Sequence, residues 1–144
     1  MNNTAVHAST TLSLKGKTAL VTGSASGIGK RFAEVFADAG ANIVIADLKL
    51  QEAQATAAAI ALRGVKTLAV AMDVTDEAAV DAGFAQVQNA LGAVDILVSN
   101  AGIQIVAPIE DFQFADWKKL IAVHLDGGFL TSRAAVRQMI ASGR

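Results

Sequence analysis

Short apolar runs alternate along the chain with longer segments in which apolar residues recur at helical spacing. The runs cover residues 18–22, 42–46, 67–72 and 94–99; each is too short for a helix and is flanked by turn residues, which predicts a buried strand. The first helical segment places one set of apolar residues on a single face: Ile28, Phe32, Val35, Phe36 and Ala39. The second, over residues 49–63, has an inward stripe of Leu50, Ala53, Ala57 and Ile60. A third helix is predicted after Thr75, which we expect to be its N-cap.

Glycines mark the ends of these three predicted helices. Gly40, Gly64 and Gly92 each follow the last helical residue, where the left-handed backbone of a C-cap suits glycine, and a strand begins two or three residues later. Strands that alternate with helices at this spacing are joined by right-handed crossovers and run parallel. The sequence therefore predicts an α/β fold, with a parallel sheet that carries helices on both faces.

A last, long helix is predicted over residues 116–140, after a loop that contains Pro108. One stripe of this helix consists mainly of apolar and small residues: Trp117, Leu120, Ile121, His124, Leu125, Gly128, Phe129, Ser132, Val136 and Met139. Val123 and Leu130 widen the apolar surface beyond this stripe. We therefore expect a second copy of the protein to cover part of the helix, which would make the protein a homo-oligomer.

The composition narrows the class of protein. Of the 144 residues, 53% are hydrophobic and 17% are charged, and only one is proline, which excludes a wholly disordered chain. Cysteine is absent and the two histidines, His7 and His124, lie far apart, so neither a disulfide nor a metal site is expected. A net charge of −1 argues against nucleic acid as a main partner.

Membrane and targeting segments are not expected either. The mean hydropathy is +0.44, but no apolar run approaches the roughly 18 residues that a membrane span requires. Residues 1–12 lack the basic and apolar regions of a secretory signal, and we expect a flexible tail there, before one domain over residues 13–144. These features predict a cytoplasmic protein.

A glycine-rich segment directly follows the first predicted strand. It reads Thr22-Gly23-Ser24-Ala25-Ser26-Gly27-Ile28-Gly29 and leads into a helix. Glycines at such a turn let a pyrophosphate approach the backbone, and the start of the helix offers free N–H groups and a positive dipole end. A P-loop is excluded because Ser24 replaces its first glycine and Arg31 its Mg²⁺-binding Ser or Thr. We therefore expect a nucleotide-phosphate site at Gly23, Ser26, Gly27, Ile28 and Gly29.

An acidic residue ends the second predicted strand. Asp47 stands 18 residues after Gly29, where a carboxylate can accept hydrogen bonds from both ribose hydroxyls of an adenosine. The same charge repels a 2′-phosphate, and neither Ser26 nor Leu48 supplies a compensating cation. NAD is therefore expected rather than NADP, although Lys49 leaves room for use of both. The alternative is a helix-capping role for Asp47.

Four sequence motifs, taken in their order along the chain, resemble those of the short-chain dehydrogenases/reductases. They are Thr22-Gly-x3-Gly-Ile-Gly29, Asp47, Asp73-Val74 after the third strand, and Asn100-Ala101-Gly102 after the fourth. The resemblance covers the chain from about residue 12 onward and implies a Rossmann-type, doubly wound sheet in the strand order 3-2-1-4. It also implies that Asp73 binds the adenine amino group and Val74 packs on the ring, while Asn100, Ala101 and Gly102 lie along the nicotinamide ribose. A turn or cap role is the alternative for Asp73, and Ser99 replaces a second Asn that the family often has.

Within the family, the chain most resembles bacterial 3-hydroxybutyrate dehydrogenases. The stretches Asn100-Ala-Gly-Ile-Gln104 and Pro108-Ile-Glu-Asp-Phe112, together with Trp117, carry this resemblance. It implies a short 3-hydroxy acid as the substrate, with Gln104 binding the carboxylate; capping of a local loop by Gln104 is equally open. His124 stands where the family usually has an Asn that kinks the long helix and holds a water in the proton relay. His124 is therefore the candidate catalytic residue, with a buried core histidine as the alternative.

Tyrosine is absent from the chain. The resemblance implies that a Tyr, a Lys four residues later and an upstream Ser carry catalysis, all from the fifth strand onward, and the chain ends before that strand. We therefore expect the N-terminal part of an NAD-dependent oxidoreductase, truncated after strand four and the long helix, and inactive without the catalytic part. The alternative is a non-catalytic dinucleotide-binding or regulatory module.

Overall fold

The computed structural model describes residues 13–143 and shows a parallel sheet between two layers of helices. Its elements are β1 (Thr18–Thr22), α1 (Gly27–Asp38), β2 (Asn42–Asp47), α2 (Leu50–Ala61), β3 (Thr67–Ala71), α3 (Glu77–Leu91), β4 (Ile96–Val98), a 3-10 turn (Ile109–Asp111), α4 (Phe114–Ile121), a π-helical turn (Ala122–Asp126) and α5 (Gly127–Ala141). The strand order is β3-β2-β1-β4 and every pairing is parallel, which confirms the predicted fold and order. The tail predicted at residues 1–12, which includes His7, lies outside the described residues.

The core has two halves, one on each face of the sheet. Helices α1 and α2 pack on one face through alanines and Ile60, against Val21, Ile43 and Ile45. Helices α3 and α5 pack on the other face, against Leu20 and Val44. All five residues of β1 are buried because the strand is covered on both faces and paired on both edges.

Helix α1 turns its small residues, not its large ones, to the sheet. Gly29, Ala33 and Ala37 are buried, whereas Phe32 and Val35 are 42% and 46% exposed. Small side chains let the helix backbone approach the strands closely, so most of the apolar face predicted from spacing lies outward, whereas Phe36 of that face still packs against the core. On its other side, Asp38 forms an ion pair with Arg63, which follows α2 in the chain. This contact raises the pKa of the Arg63 guanidinium, mainly through the hydrogen bond between the two side chains.

The predicted long helix is interrupted, and its buried face differs from the predicted stripe. The π-helical turn separates α4 from α5, and the N–H of Gly127 donates to the carbonyl of Ala122. Small residues of α5 again face the core: Gly127, Thr131, Ala134 and Ala135. Leu125, Phe129, Val136 and Ile140 lie on the opposite side and are exposed.

The C-terminal ends of α1, α2 and α3 follow the sequence, whereas the start of α3 does not. Gly40, Gly64 and Gly92 all have positive φ, as predicted for the C-terminal ends of α1, α2 and α3. The predicted N-cap of α3, Thr75, was wrong. Asp76 caps this helix, with Oδ1 accepting from the amides of Ala78 and Ala79 at 2.9 and 3.2 Å.

The inward stripe predicted for α2 is largely confirmed. Ala53, Ala57 and Ile60 are buried, with Thr56 added to them, whereas Leu50 is partly exposed. The fourth strand is shorter than the sequence predicts at both ends. Val94 lies before it, with its N–H bound to the side chain of Gln138 at 3.1 Å, and Ser99 lies after it. Over residues 13–143, none of the helices combines the length and apolar character needed to cross a bilayer.

Candidate functional site

The predicted motif residues meet at the carboxyl ends of the four strands. Thr22 and Asp47 end β1 and β2, while Asp73 and Asn100 lie two residues beyond the ends of β3 and β4. A cleft with a volume of about 240 Å³ opens at this edge, where open parallel sheets bind their ligands. Its lining residues are Gly23, Asp47, Leu48, Met72, Asp73, Val74, Ala101, Gly102, Ile103 and Val123. Six residues predicted from the sequence are among them, and they come from all four strand ends.

The three glycines after β1 serve different needs. Gly23 has φ +62°, and a Cβ there would lie 2.9 Å from Cα of Ala101. At Gly29 a Cβ would collide with the carbonyl of Gly23 and lie 2.9 Å from Cα of Ser24. Gly27 has φ +59° and no atom within 4 Å of its missing Cβ. Gly23 and Gly29 let the backbone pack closely, while Gly27 leaves open space in front of the helix.

The N-terminus of α1 has the character of an anion site. Ser26 is the N-cap residue, but its side chain makes no capping hydrogen bond. The first turn contains no acidic residue and carries Lys30, so no negative charge opposes the dipole of the helix. Arg31, one residue later, pairs with Glu34 at 3.0 Å. Ser26, Gly27 and Ile28 are exposed and lie outside the enclosed cleft, while Gly29 is buried under the loop.

Two backbone amides hold the carboxylate of Asp47 at the cleft. Oδ2 accepts from the N–H of Ala25 at 3.0 Å, and Oδ1 accepts from the N–H of Lys49 at 3.1 Å. The N-cap position of α2 is Lys49, so Asp47 is not the N-cap residue, although its Oδ1 does bind the amide of that residue. A carboxylate has about four acceptor positions, which leaves room for two more donors. The Lys49 ammonium pairs with Glu52 at 3.1 Å.

The other wall of the cleft combines Asp73 with apolar side chains. Oδ1 of Asp73 accepts from both the amide and the hydroxyl of Thr75, at 2.9 and 2.7 Å. Asp73 therefore forms the turn that was its alternative while also lining the cleft. Met72 and Val74 are buried beside it.

Four lining residues were missed by sequence reasoning. They are Leu48, Met72, Ile103 and Val123. Leu48, Met72 and Ile103 directly adjoin predicted site residues, and Leu48 is 70% exposed. Their position next to predicted site residues at the strand ends could have indicated that these three residues line the cleft. No sequence pattern indicated that Val123, in the π-helical turn, would line it.

Asn100 does not line the cleft, but its side chain joins the loop after β4 to the glycine-rich loop. Its Nδ2 donates to the carbonyls of Thr22 and Gly23 at 3.0 and 3.1 Å. The hydroxyl of Thr22, which the sequence analysis included in the glycine-rich motif without giving it a role, accepts from the amides of both Asn100 and Ala101 at 3.0 Å. The two loops that form opposite sides of the cleft are thereby joined, and Ala101 and Gly102 are left to face it.

Gln104 and His124 lie at the margin of the site. Gln104 is exposed and follows Ile103, the last residue of this loop that lines the cleft. His124 is also exposed, which makes the buried-histidine alternative wrong, and its Nε2 lies 2.8 Å from the carbonyl oxygen of Ile103. Among residues 13–143, no group of His, Asp or Glu side chains is arranged to hold a metal ion.

Comparison with curated proteins finds relatives that are named as dehydrogenases. Sorbitol dehydrogenase from Cereibacter sphaeroides is 44% identical over 131 residues, which cover 91% of this chain and 50% of the relative. Gluconate 5-dehydrogenase from Gluconobacter oxydans is 37% identical over 132 residues, which cover 92% of this chain and 52% of the relative. The chain therefore spans about half the length of the curated relatives it matches.

The similar solved structures also carry dehydrogenase names, and this chain again covers about half of each. A short-chain type dehydrogenase/reductase from Mycobacterium marinum superposes with a TM-score of 0.88 at 37% identity, covering 92% of this chain and 53% of that one. A gluconate 5-dehydrogenase from Burkholderia cenocepacia, in complex with NADP and tartrate, gives a TM-score of 0.87 at 41% identity, covering 92% and 52%. None of these four relatives is named a 3-hydroxybutyrate dehydrogenase, so that finer resemblance is not supported by them.

The family model described as short chain dehydrogenase matches residues 17–144. This range includes all four strands, the glycine-rich loop and every residue that lines the cleft. The chain belongs to the short-chain dehydrogenase family, whose members bind a nicotinamide dinucleotide.

Proposed function

We propose that the chain is the cofactor-binding part of a dehydrogenase that prefers NAD to NADP. The observation that carries the proposal is the Asp47 carboxylate, which lies on the cleft at the end of β2 with acceptor positions left for two ribose hydroxyls. A 2′-phosphate at the same place would meet a negative charge, and the neighbouring Lys49 is paired with Glu52. The Burkholderia relative was solved with NADP, so the choice of cofactor is the first point to test.

The cofactor would extend across the strand ends. Its pyrophosphate would receive the free N–H groups at the start of α1, in the open space before Gly27. The adenine would rest on Val74 beside Asp73, and the nicotinamide end would follow Ala101 and Gly102. In this proposal the residues predicted from the sequence take the roles expected of them, except that Gly29 lets the loop pack closely and Asn100 tethers the glycine-rich loop.

Bound NAD supplies a hydride acceptor for the carbon of a secondary alcohol, and the hydroxyl proton must pass to a base. Tyrosine does not occur in the 144 residues, and the relatives are about twice as long as the matched segment. We therefore place the base, with its Ser and Lys partners, in chain that follows residue 144 in the whole protein. An in-frame Ser followed by Tyr-x3-Lys downstream in the coding sequence would support this, whereas a stop codon there would favour the non-catalytic binding module.

The substrate proposed is a short 3-hydroxy acid, with Gln104 donating to its carboxylate. Gln104 is exposed at the margin of the cleft, one residue beyond Ile103, so its amide is free to reach a substrate there. The names of the relatives point to sorbitol and gluconate as competing substrates, and all of these molecules carry a secondary alcohol. In the whole protein, Gln104→Ala should raise KM for 3-hydroxybutyrate roughly 10-fold to 100-fold, because a hydrogen bond to a charged group is lost. KM for sorbitol in the same variant is the control, and an unchanged KM for 3-hydroxybutyrate would remove Gln104 from this role.

A homo-oligomer formed through the α4–α5 region is part of the proposal. The exposed stripe of Leu125, Phe129, Val136 and Ile140 supports it, because so much apolar surface on one helix is typical of a contact. Sedimentation of the whole protein, compared with a Phe129→Ser variant, tests this point. A cytoplasmic location stays a prediction.

Calorimetric titration of the whole protein with NAD⁺ and with NADP⁺ tests the cofactor proposal. NAD⁺ should bind at least ten times more tightly than NADP⁺, which corresponds to about 1.4 kcal/mol. Asp47→Ala should abolish the difference, whereas Asp73→Asn, the matched control on the opposite wall, should weaken both cofactors alike. Equal affinity in the wild type, or a preference that survives Asp47→Ala, contradicts the proposal. Trp117 does not line the cleft, so its fluorescence is a poorer probe than calorimetry.

A further inference from the structure

A side-chain hydroxyl of α2 reaches the glycine-rich loop. Thr56 belongs to the buried stripe of α2, and its Oγ1 donates to the carbonyl of Ala25 at 2.7 Å. Thr56 is 5% exposed and Ala25 is 6% exposed, so water has little access to this bond. A threonine inside a helix often bonds to a carbonyl of its own preceding turn, as Thr131 of α5 does with Gly127 at 2.7 Å. Thr56 instead binds a residue 31 positions away in the chain.

The carbonyl of Ala25 lies where the loop leads into α1. The hydrogen bonding of α1 begins one residue later, where the carbonyl of Ser26 accepts from the amide of Lys30 at 3.1 Å. A buried carbonyl outside the helix needs a donor from elsewhere, and the hydroxyl of Thr56 supplies it. The N–H of Ala25 donates in turn to Oδ2 of Asp47 at 3.0 Å. Ala25 is therefore held through both of its backbone polar groups.

The bond from Thr56 also fixes the direction of the next amide. The peptide bond between Ala25 and Ser26 is trans, and in a planar trans peptide the carbonyl and the following N–H point in opposite directions. Because the carbonyl of Ala25 points to Thr56 in the core, the N–H of Ser26 points away from Thr56. Ser26 is exposed and is the N-cap residue of α1. Its amide is thereby set on the open side of the loop, in front of the helix.

We propose that Thr56 is a positioning residue, which orients the N–H of Ser26 toward the pyrophosphate of the cofactor by holding the carbonyl of Ala25. This rests on the proposed function, because that amide has a ligand only if a pyrophosphate lies in front of α1. NAD and NADP share the pyrophosphate, so Thr56 contributes to the affinity for both, whereas Asp47 distinguishes between them. ADP also carries two linked phosphates and adenosine carries none, so the two ligands isolate this contribution.

Three variants of the whole protein separate positioning from a general loss of stability, with calorimetry as the measure of affinity. Thr56→Val keeps the volume of the side chain and removes the donor. It should weaken ADP and NAD⁺ binding by about threefold to tenfold, the value of one ordinary hydrogen bond, and leave adenosine binding unchanged. Thr56→Ser keeps the hydroxyl and should restore the affinity for ADP. Ile60→Val removes a methyl group from the same buried stripe and is the control: it should lower the midpoint of urea unfolding without weakening ADP.

The orientation of the Ser26 amide can be measured in the wild type, without any variant. In the ¹⁵N-labelled whole protein, the amide proton signal of Ser26 should move downfield when ADP is added and stay in place when adenosine is added. A Ser26 signal that does not respond to ADP overturns the positioning role, and so does a Thr56→Val variant that binds ADP as tightly as the wild type. An equal loss of ADP and adenosine affinity in Thr56→Val overturns it as well. In these three cases the proposed function stands, whereas a wild type that binds neither ADP nor NAD⁺ overturns both.

Discussion

The hydroxyl of Thr22 holds the backbone of Asn100 at the base of the cleft. Thr22 Oγ1 lies 3.0 Å from the amide nitrogen of Asn100 and 3.0 Å from that of Ala101, and the side chain of Asn100 returns two hydrogen bonds to the carbonyls of Thr22 and Gly23. Thr22 is fully buried, so water cannot take over its role. The glycine-rich loop and the loop after β4 therefore form one unit.

Thr22→Val should destabilise the protein by about 1–3 kcal/mol, because it leaves two amides without their acceptor while keeping the volume of the side chain. Urea unfolding measures the change, and calorimetry should show weaker NAD⁺ binding as the two loops separate. Thr22→Ser keeps the hydroxyl and is the control, with near-native NAD⁺ affinity expected. A Val variant as stable as the wild type would show that the shared hydroxyl carries no such role.

Alanine at Gly29 and alanine at Gly27 should both lower stability, but to different extents and with different effects on NAD⁺ binding. At Gly29 the new Cβ meets backbone atoms of Gly23 and Ser24, which cannot move aside as a flexible side chain would, so we expect the larger loss of stability there. At Gly27 the Cβ enters open space at φ +59°, which costs roughly 1–2 kcal/mol in backbone strain. The Gly27 variant should instead lose NAD⁺ affinity, because the methyl group occupies the space in front of the helix. Thermal unfolding and calorimetry on the pair distinguish the two, and identical profiles would contradict this division.

Removing the cap of α3 should lower stability without touching the cleft. Asp76→Ala deprives the amides of Ala78 and Ala79 of their acceptor and should cost about 1 kcal/mol. Asp76→Asn keeps a capping oxygen and should cost much less. Denaturant midpoints measure both, and NAD⁺ affinity should stay unchanged in each. If Thr75→Val lost more stability than Asp76→Ala, the N-cap of α3 would be Thr75 and not Asp76.

Gln138 joins α5 to the segment that leads into β4. Its Oε1 accepts from the amide of Val94 at 3.1 Å and its Nε2 donates to the carbonyl of Phe84 at 2.9 Å. Gln138→Leu should cost about 1–3 kcal/mol in the free energy of unfolding, because Val94 is fully buried and its amide loses its partner. Arg137→Gln, at the exposed neighbouring position, should change stability by less than about 0.5 kcal/mol. Equal effects of the two changes would argue against the bridge.

The local features of the fold could be predicted because they depend on residues close together in the chain. The bounds of β1, the glycines that end three helices, and the segments that carry Asp47 and Asp73 all follow from spacing, turn chemistry and backbone freedom within a few residues. The order of the strands followed from the family resemblance of the motifs. That much was available before any contact between distant residues was known.

The tertiary structure decided which faces are buried and which polar groups pair. Spacing identified the apolar residues of α1 and α5, but close packing against the sheet favoured Gly29, Ala33 and Ala134 over Phe32 and Phe129, because only small side chains permit that approach. The bond from Asn100 to Thr22 joins residues 78 positions apart, and the contact of His124 with Ile103 depends on the π-helical turn. Such relationships arise from how whole elements fit together, and no local pattern in the sequence contains them.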